Sequence, residues 1–514
     1  MKKTFILFLL SAVYSVHAFA YFEYNGIYYW ESSETTVKVT YKLGAAPFSG
    51  ERNHYYSGDI VIPETVYDGE KAYTVTGVGD HAFAYTENVT SVVLPESIEH
   101  IEYFAFRSSA LTSVNIPSSV KTLGNSAFQQ CANLYLISLP EALESIGSYC
   151  FFDCAILKLS NGVLSSALKS IGVYAFYGCK ELEQIVIPEG ITSIGELTFS
   201  GCSKLTSVSL PGTLKSIGEQ AFVFCTDLTE IFIPPQVNSI GKLAFRYCTK
   251  LTSVEIPEGI TSIQNNTFEG CSNLSSVILP STLDTIGQDA FRTTTALQTI
   301  TIPYGVQSIG QMAFYRSGLK SVVLPETVVE IARLSFAECA SLASVDIQAP
   351  VVSIGEHAFW KNPSLDQFSL ASQSPGNITL ASNAFSDSPI STATLWVPCF
   401  TNSLYASATT WRSFGSIQNK SDCETTTTFP VNSTTQTPLV YPNPATTTVN
   451  LHIEGVDLNL LTVTITDMQG RIVAKLKGKD ATSIDVTHYT KGVYFVRVSG
   501  ENLFFEQTEK LIIM

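Results

Sequence analysis

Apolar and polar residues along this chain follow one pattern that returns about every 23 residues between Gly79 and Phe385. The stretch SVSLPGTLKSIGEQAFVFCTDLT at 207–229 comes back as SVEIPEGITSIQNNTFEGCSNLS at 253–275. In the first, Val208 and Leu210 alternate with Ser207 and Ser209, the period of two that marks a strand with one inward and one outward face. Pro211 ends the strand, because proline has no N–H to give to a ladder. Prolines 95, 117, 140, 188, 234, 257, 280, 303 and 325 stop equivalent strands. A second apolar pair, Leu214 and Ile217, precedes Gly218, where a Cβ would hinder a tight turn or a close approach. Ala221 and Phe222 then insert an aromatic behind a small residue. Aligned on that aromatic, the repeats run through Phe83, Phe106, Phe128, Phe152, Phe176, Phe199, Phe222, Phe245, Phe268, Phe291, Phe314, Phe336, Phe359 and Phe385, in steps of 22 to 24 until a last step of 26.

A fixed period in the range 20–29, with one strand per unit, predicts a β-rich solenoid in which no unit buries its apolar face alone and stacked neighbours cover one another. Some fourteen coils, stacked at about 4.8 Å, give a rod roughly 65–70 Å long. One face is expected to be a narrow parallel sheet. The other is expected to carry short helical turns or irregular coil, since the segment between Gly218 and Leu228 is too short for a longer helix and its connections. Two coils depart from the pattern, LKLSNGVLSSALKSIG at 157–172 and ASQSPGNITLASNAF at 371–385, either by loop variation or for a local ligand contact.

The ends follow different rules. Residues 1–20 open with Lys2 and Lys3, continue through an apolar run and close on Ala18-Phe19-Ala20, which predicts a cleaved secretory signal peptide. No later window approaches 18 consecutive apolar residues, so no transmembrane helix is expected. Residues 21–75 form an N-terminal β cap and first strand, the repeats fill 76–400, and a C-terminal cap with a Thr/Ser/Pro-rich linker covers 401–437. From 438 to 514, TVNLHIEG, LTVTITDMQG, RIVAKLKG, TSIDVTH, GVYFVRVSG and EKLIIM alternate apolar and polar residues between turn signals, which predicts a small β-sandwich.

Charge narrows the partners. The net charge is −15, and residues 438–514 carry 7 Lys/Arg against 8 Asp/Glu, so the excess acidity lies in the repeats and the segment before them. No basic stripe is present to neutralise phosphates, which argues against nucleic acid and acidic membrane surfaces as partners. Eight of the eleven cysteines, at 131, 154, 179, 202, 225, 248, 271 and 339, fall two or three residues after the repeat aromatic and so share one solenoid position. They read as a ladder of buried thiols acting as small hydrophobes. No C-x-x-C or histidine partner supports a metal, and no metal or cofactor is expected. Cys399 and Cys423 flank the end of the array and either close a disulfide or stay free, and Cys150 has no assigned place.

The phrase VSLPGTLKSIGEQAFVFC at 208–225, which recurs more than ten times, resembles the BspA-like leucine-rich repeat of bacterial surface proteins over about residues 58–400. YNGIYYWESSETTVKVTYK, followed by YSGDIVIPETVYDGEKAYTVTGVGDHAF, resembles the β-hairpin cap that precedes such arrays and covers the first open strand edge. The words YPNPATTTVNL at 441–451, DMQGRIV at 467–473, KGVYFVRV at 491–498 and the terminal EKLIIM resemble the type A C-terminal sorting domain of the type IX secretion system. That likeness maps the family's motif onto Pro442, Asn443, Pro444, Gly470, Gly492, Tyr494 and Lys510. It implies a tail read by the outer-membrane translocon and then removed, with the mature protein attached to surface lipopolysaccharide or released. The repeat family is associated with adhesion to host matrix proteins and to other bacteria.

Chemistry is sparse by comparison. None of the six histidines after the signal peptide lies in H-E-x-x-H, and G-x-S-x-G, Walker and G-x-G-x-x-G motifs are absent. Catalysis needs unlike groups converging on one point, which a ladder of like residues does not supply, so no catalytic residue is expected. Large apolar groups at outward strand positions are the better candidates: Phe232 and Ile278, with Glu230 and Glu255 beside Phe232. The leading reading is a surface-displayed binding protein for a protein or glycan ligand. The alternative is a structural component of the cell envelope without a soluble ligand.

Overall fold

The computed structural model describes residues 20–43, 55–349, 353–420, 439–441, 447–452, 461–467, 471–477, 483–500 and 503–513. The expected signal peptide, ending one residue into this range, otherwise lies outside it, as do His54 and Cys423. The chain divides into two units, 1–424 and 425–514.

The first unit is a solenoid whose regular coils have three parts. The first is the predicted strand. In Ser207–Ser209 the outer serines are exposed around buried Val208, and the strand pairs in parallel and in register with Gln184–Val186 one coil earlier. The second part was not legible as a strand. The dipeptides Ser193–Ile194, Ser216–Ile217 and Ser239–Ile240 pair in parallel as a second narrow ladder, each isoleucine buried behind an exposed or half-buried serine. Gly218 follows at once. A Cβ there would lie 2.7 Å from the Gly195 carbonyl carbon, and one on Gly241 would lie 2.5 Å from the Glu219 nitrogen. Close approach between coils, not a left-handed backbone, therefore sets the glycine.

The third part corrects the expectation of helical turns or irregular coil. It is a run of tight turns with its own hydrogen-bond ladder. Gln220, Phe222 and Phe224 donate their N–H groups to Lys242, Ala244 and Arg246 of the next coil at 2.8–2.9 Å, while the intervening Ala221 and Val223 close turns onto Gly218 and Gln220. To alternate in this way the chain takes positive φ two residues before and two after the aromatic, as at Gln220 (56°) and Phe224 (61°). Such a conformation is costly for a residue with a Cβ and persists where the surrounding bonds fix it.

The aromatics form one column from Phe83 to Phe385, with ring centroids 5.1–5.6 Å apart and planes within 3–21° of parallel. Offset stacking of this kind adds about 0.5–1.5 kcal/mol per pair beyond the apolar area buried. One member differs from expectation. Phe151, not Phe152, stacks between Phe128 and Phe176. Cys150 thereby takes the small-residue place filled by Ala127 and Ala175 in the flanking coils, which assigns the cysteine that had no position, and it is fully buried.

At the N-terminal end, Tyr21–Tyr24, Ile27–Glu31 and Thr36–Thr40 form an antiparallel meander that joins Lys71–Val78 and, through it, the second ladder. The strand-face ladder starts separately, from Gly58–Val61 against Val89–Val93. At the far end that ladder continues past the last stacked phenylalanine through Thr394–Val397 and Ser416–Asn419. Between them a short helix, Asn402–Ser407, brings Tyr405 onto Trp411, which with Phe414 packs on Phe385 and closes the column. Cys399 is disulfide-bonded.

The second unit holds two antiparallel sheets. Leu439–Tyr441, Thr448–His452 and Ser483–Asp485 form one; Ile472–Lys477, Leu461–Asp467, Gly492–Gly500 and Leu503–Ile513 form the other. Val449 and Ile484 from the first and Val463, Ile465, Tyr494, Val496 and Leu511 from the second share one buried cluster.

Candidate functional site

The cysteine ladder is best understood first, because it is the most conspicuous chemistry in the array. Each of the eight repeat cysteines lies three residues after its stacked phenylalanine and donates its S–H to the phenylalanine carbonyl of the preceding coil, as from Cys225 to Phe199 at 3.1 Å and from Cys154 to Phe128 at 2.9 Å. Coils without cysteine keep a donor there. Asn362 donates to Phe336 and Ser388 to Phe359, while Thr294 bonds its own Phe291 carbonyl. The thiols are buried, as expected, but the residues that replace them show that the position selects a compact hydrogen-bond donor rather than a small hydrophobe. Burial pushes Cys271 up to about 12 and Cys339 up to about 11, so both stay protonated at neutral pH. Among the described residues no group of three or more His, Cys, Asp or Glu side chains is placed to hold a metal.

The outward strand face presents a different surface. Glu230, Phe232, Glu255 and Ile278 line one shallow depression of about 540 Å³, over the exposed serines 207, 209, 253 and 276. Phe232 is 69% exposed and Ile278 57%. Ile278 sits directly opposite Glu255 in the paired strands Ser253–Glu255 and Ser276–Ile278. The coil carrying Phe232 breaks the ladder. Ile187 donates to Ser209 and Ile256 donates to Ile278 across their coils, but no such bond joins Leu210 to Phe232 or Ile233 to Glu255 among the described residues, and only an isolated bridge links Glu230 to Ser253. A similar opening occurs at 300–302, where exposed Thr301 rather than an aromatic takes the outward place. Lysine pairs with many acidic residues from coil to coil, as Lys121 with Glu99, Lys204 with Glu181 and Lys250 with Asp227. Glu230 and Glu255 have no cationic partner among the described residues. The depression thus combines two unpaired carboxylates, two apolar anchors and backbone groups released from the ladder.

In the second unit the structure joins two of the four tail words. KGVYFVRV and the terminal EKLIIM run antiparallel in one hairpin, with Gly492 opposite Ile513, Tyr494 opposite Leu511 and Phe495 opposite Lys510. Tyr494 is buried, and its hydroxyl donates to the Thr490 carbonyl at 2.8 Å. In the word DMQGRIV, Asp467 accepts from the Arg471 N–H at 2.9 Å and from its Nε at 2.7 Å. Pro442, Asn443, Pro444 and Gly470 lie outside the described residues.

Comparison with known proteins decides the family. The BspA type leucine rich repeat region matches in six copies across residues 70–161, 155–275 and 285–410, more than half of the chain. The chain belongs to the BspA-type leucine-rich repeat family. Residues 439–514 match the secretion system C-terminal sorting domain. A crystal structure of a leucine-rich repeat protein from Bacteroides ovatus is similar, with a TM-score of 0.62 and 29% identity over 74% of this chain and 94% of that one. A leucine rich cell surface protein from Faecalibacterium prausnitzii matches at 23% identity, TM-score 0.43, over 78% of this chain and 95% of that one. No curated protein matches. The sorting domain marks this BspA-type protein as cargo of type IX secretion, delivered to the cell surface or the extracellular space, and no helix among the described residues is long and apolar enough to cross a membrane.

Proposed function

We propose that this BspA-type protein is a surface-displayed binding protein of adhesin type, and that its ligand-contacting face is the strand face around Phe232, with Glu230, Glu255 and Ile278 as the flanking contacts. The observation that carries the reading is the placement of an exposed aromatic over an opened ladder, between carboxylates that have no internal partner. Exposed apolar anchors of this kind lose hydration when covered, and aromatic residues dominate binding energy where they are covered fully. The ligand is a protein or a glycan, and the role is binding rather than catalysis.

The test is saturable binding of the mature chain to immobilised matrix proteins and glycans, repeated with Phe232→Ala. Binding that weakens roughly tenfold or more in the variant supports the site. Binding that is unchanged removes the site, and the absence of saturable binding to any ligand, together with concentration-dependent self-assembly in ultracentrifugation, would favour a structural envelope role instead.

A further inference from the structure

The turn arc carries a depression of about 400 Å³ that the stacking scheme does not require. Phe104, Ser126 and Tyr149 are among the residues that line it. All three hold the same place, two residues before the stacked phenylalanines Phe106, Phe128 and Phe151, and all three have positive φ, 56°, 57° and 58°. A small residue between two aromatics therefore leaves a slot two coil steps wide, the steps being 5.1 and 5.4 Å at the column beneath.

Arg107 stands at the rim, its guanidinium 4.4 Å from the centre of the Phe104 ring and 5.7 Å from that of Tyr85. Its Nε is buried without a hydrogen-bond partner. Elsewhere on the arc the guanidinium groups are neutralised: Arg246 by Glu269, Arg292 by Asp289, Arg316 by Glu338 and Arg333 by Glu356. The comparison with Arg246 is direct, since Arg107 follows Phe106 and Arg246 follows Phe245 by one residue. Arg246 reaches across one coil to Glu269, with Nε 2.7 Å from the carboxylate. The residue at the matching place opposite Arg107 is Gln129, which lines the depression and cannot supply the charge. In a chain with net charge −15, this arginine has no acidic partner among the described residues.

We propose that this depression binds a carboxylated sugar, with its carboxylate on the terminal N–H groups of Arg107, the group that an acidic neighbour neutralises on Arg246, and its ring over Ser126 beside Tyr149. A planar guanidinium matches a carboxylate in a paired, charge-assisted geometry. Asn125 already accepts the Ser148 N–H through its side-chain oxygen at 2.8 Å, which leaves its amide N–H groups for sugar hydroxyls, and Gln129 adds a second amide. An extended acidic peptide fits less well, because the backbone here is occupied: Phe104 and Ser126 donate their N–H groups to Asn125 and Ser148 of the following coils. This site is separate from the Phe232 face and stands or falls independently of it.

The experiment is titration calorimetry of the mature full-length protein with a glucuronic acid oligosaccharide, with sialyllactose, with lactose and with a glutamate-rich peptide. Saturable binding to a carboxylated sugar is expected, at least about tenfold tighter than to lactose or the peptide, and whichever acid binds identifies the source of the carboxylate. Arg107→Gln is expected to weaken it by about tenfold or more, and Tyr149→Ala comparably. Gln129→Glu is the decisive control, because it supplies the missing internal partner, keeps the fold and should abolish binding. Equal binding of lactose or of the peptide, binding unaffected by Arg107→Gln or Gln129→Glu in folded protein, or no binding to either acid would each overturn the proposal.

Discussion

Phe222 and Phe232 stand ten residues apart in adjacent coils of the array, and they do opposite things. Phe222 is fully buried and stacked at 5.5 Å on both Phe199 and Phe245. Phe232 is mostly exposed, on a segment where, among the described residues, the backbone bonds from Leu210 to Phe232 and from Ile233 to Glu255 are missing. The repeat dictates the first residue and is indifferent to the second. The difference separates what the period explains, which is the interior, from what it leaves free, which is the outward face and the outer places of the turn arc.

The largest effect that tests this separation is on stability. Phe222→Ala should cost about 3–5 kcal/mol in chemical denaturation, whereas Phe232→Ala should change stability by no more than about 0.5 kcal/mol. A loss at Phe232 as large as that at Phe222 would mean that the outward residue is structural. Next comes the donor column. Cys225→Ala removes one of the two donors to the buried Phe199 carbonyl, leaving the Cys202 N–H, and should cost about 0.5–1.5 kcal/mol for the lost bond, while Cys225→Ser, which keeps a donor, should cost less. Equal losses would return the cysteines to the role of small hydrophobes.

The thiols also make the interior sensitive to alkali. Burial raises the folded pKa of Cys271 to about 12 and that of Cys339 to about 11, so the stability linked to these two thiols is complete below the unfolded value of about 8.5 and is lost as pH rises from there towards the folded values. Each such thiol contributes a slope of up to about 1.4 kcal/mol per pH unit in that window. Midpoints of denaturation should therefore fall between pH 9 and pH 11, and less so in a variant carrying Cys271→Ser and Cys339→Ser. A curve that is flat, or equally steep in the variant, would contradict the assignment.

Much of the solenoid was legible in the sequence because its signals are local and repeated: the Val208 and Leu210 alternation, the strand-ending Pro211, and Phe222 behind Ala221. The signals that failed were of two kinds. In FF at 151–152 the spacing fitted either aromatic, and only packing chose Phe151, which also placed Cys150. The second ladder and the turn arc carry no strand pattern, since a two-residue strand such as Ser216–Ile217 is too short for periodicity and the left-handed residues on the arc are as varied as His81, Phe104 and Leu243. Of the candidate site, the exposure of Phe232 and Ile278 followed from strand alternation. The opened ladder beneath Phe232 did not, because it is a relation between coils. The Arg107 slot was missed for the same reason: its meaning lies in Gln129 standing one coil away where Glu269 stands for Arg246.

In the second unit, loss of residues 438–514 should leave the remaining chain in the periplasm, visible by cell fractionation. Normal surface delivery of the truncated protein would contradict the sorting role.

The most direct test sets Phe232 against a matched neighbour on the same face. Val323 is also an outward residue, 48% exposed, but it keeps a full in-register ladder on one side, between Ser321–Leu324 and Ser344–Ile347. In saturable binding of the mature chain to immobilised matrix proteins and glycans, Phe232→Ala should reduce affinity roughly tenfold or more while Val323→Ala leaves it unchanged. Equal effects of the two substitutions, or none from either, would contradict the claim that function sits where the repeat lets go.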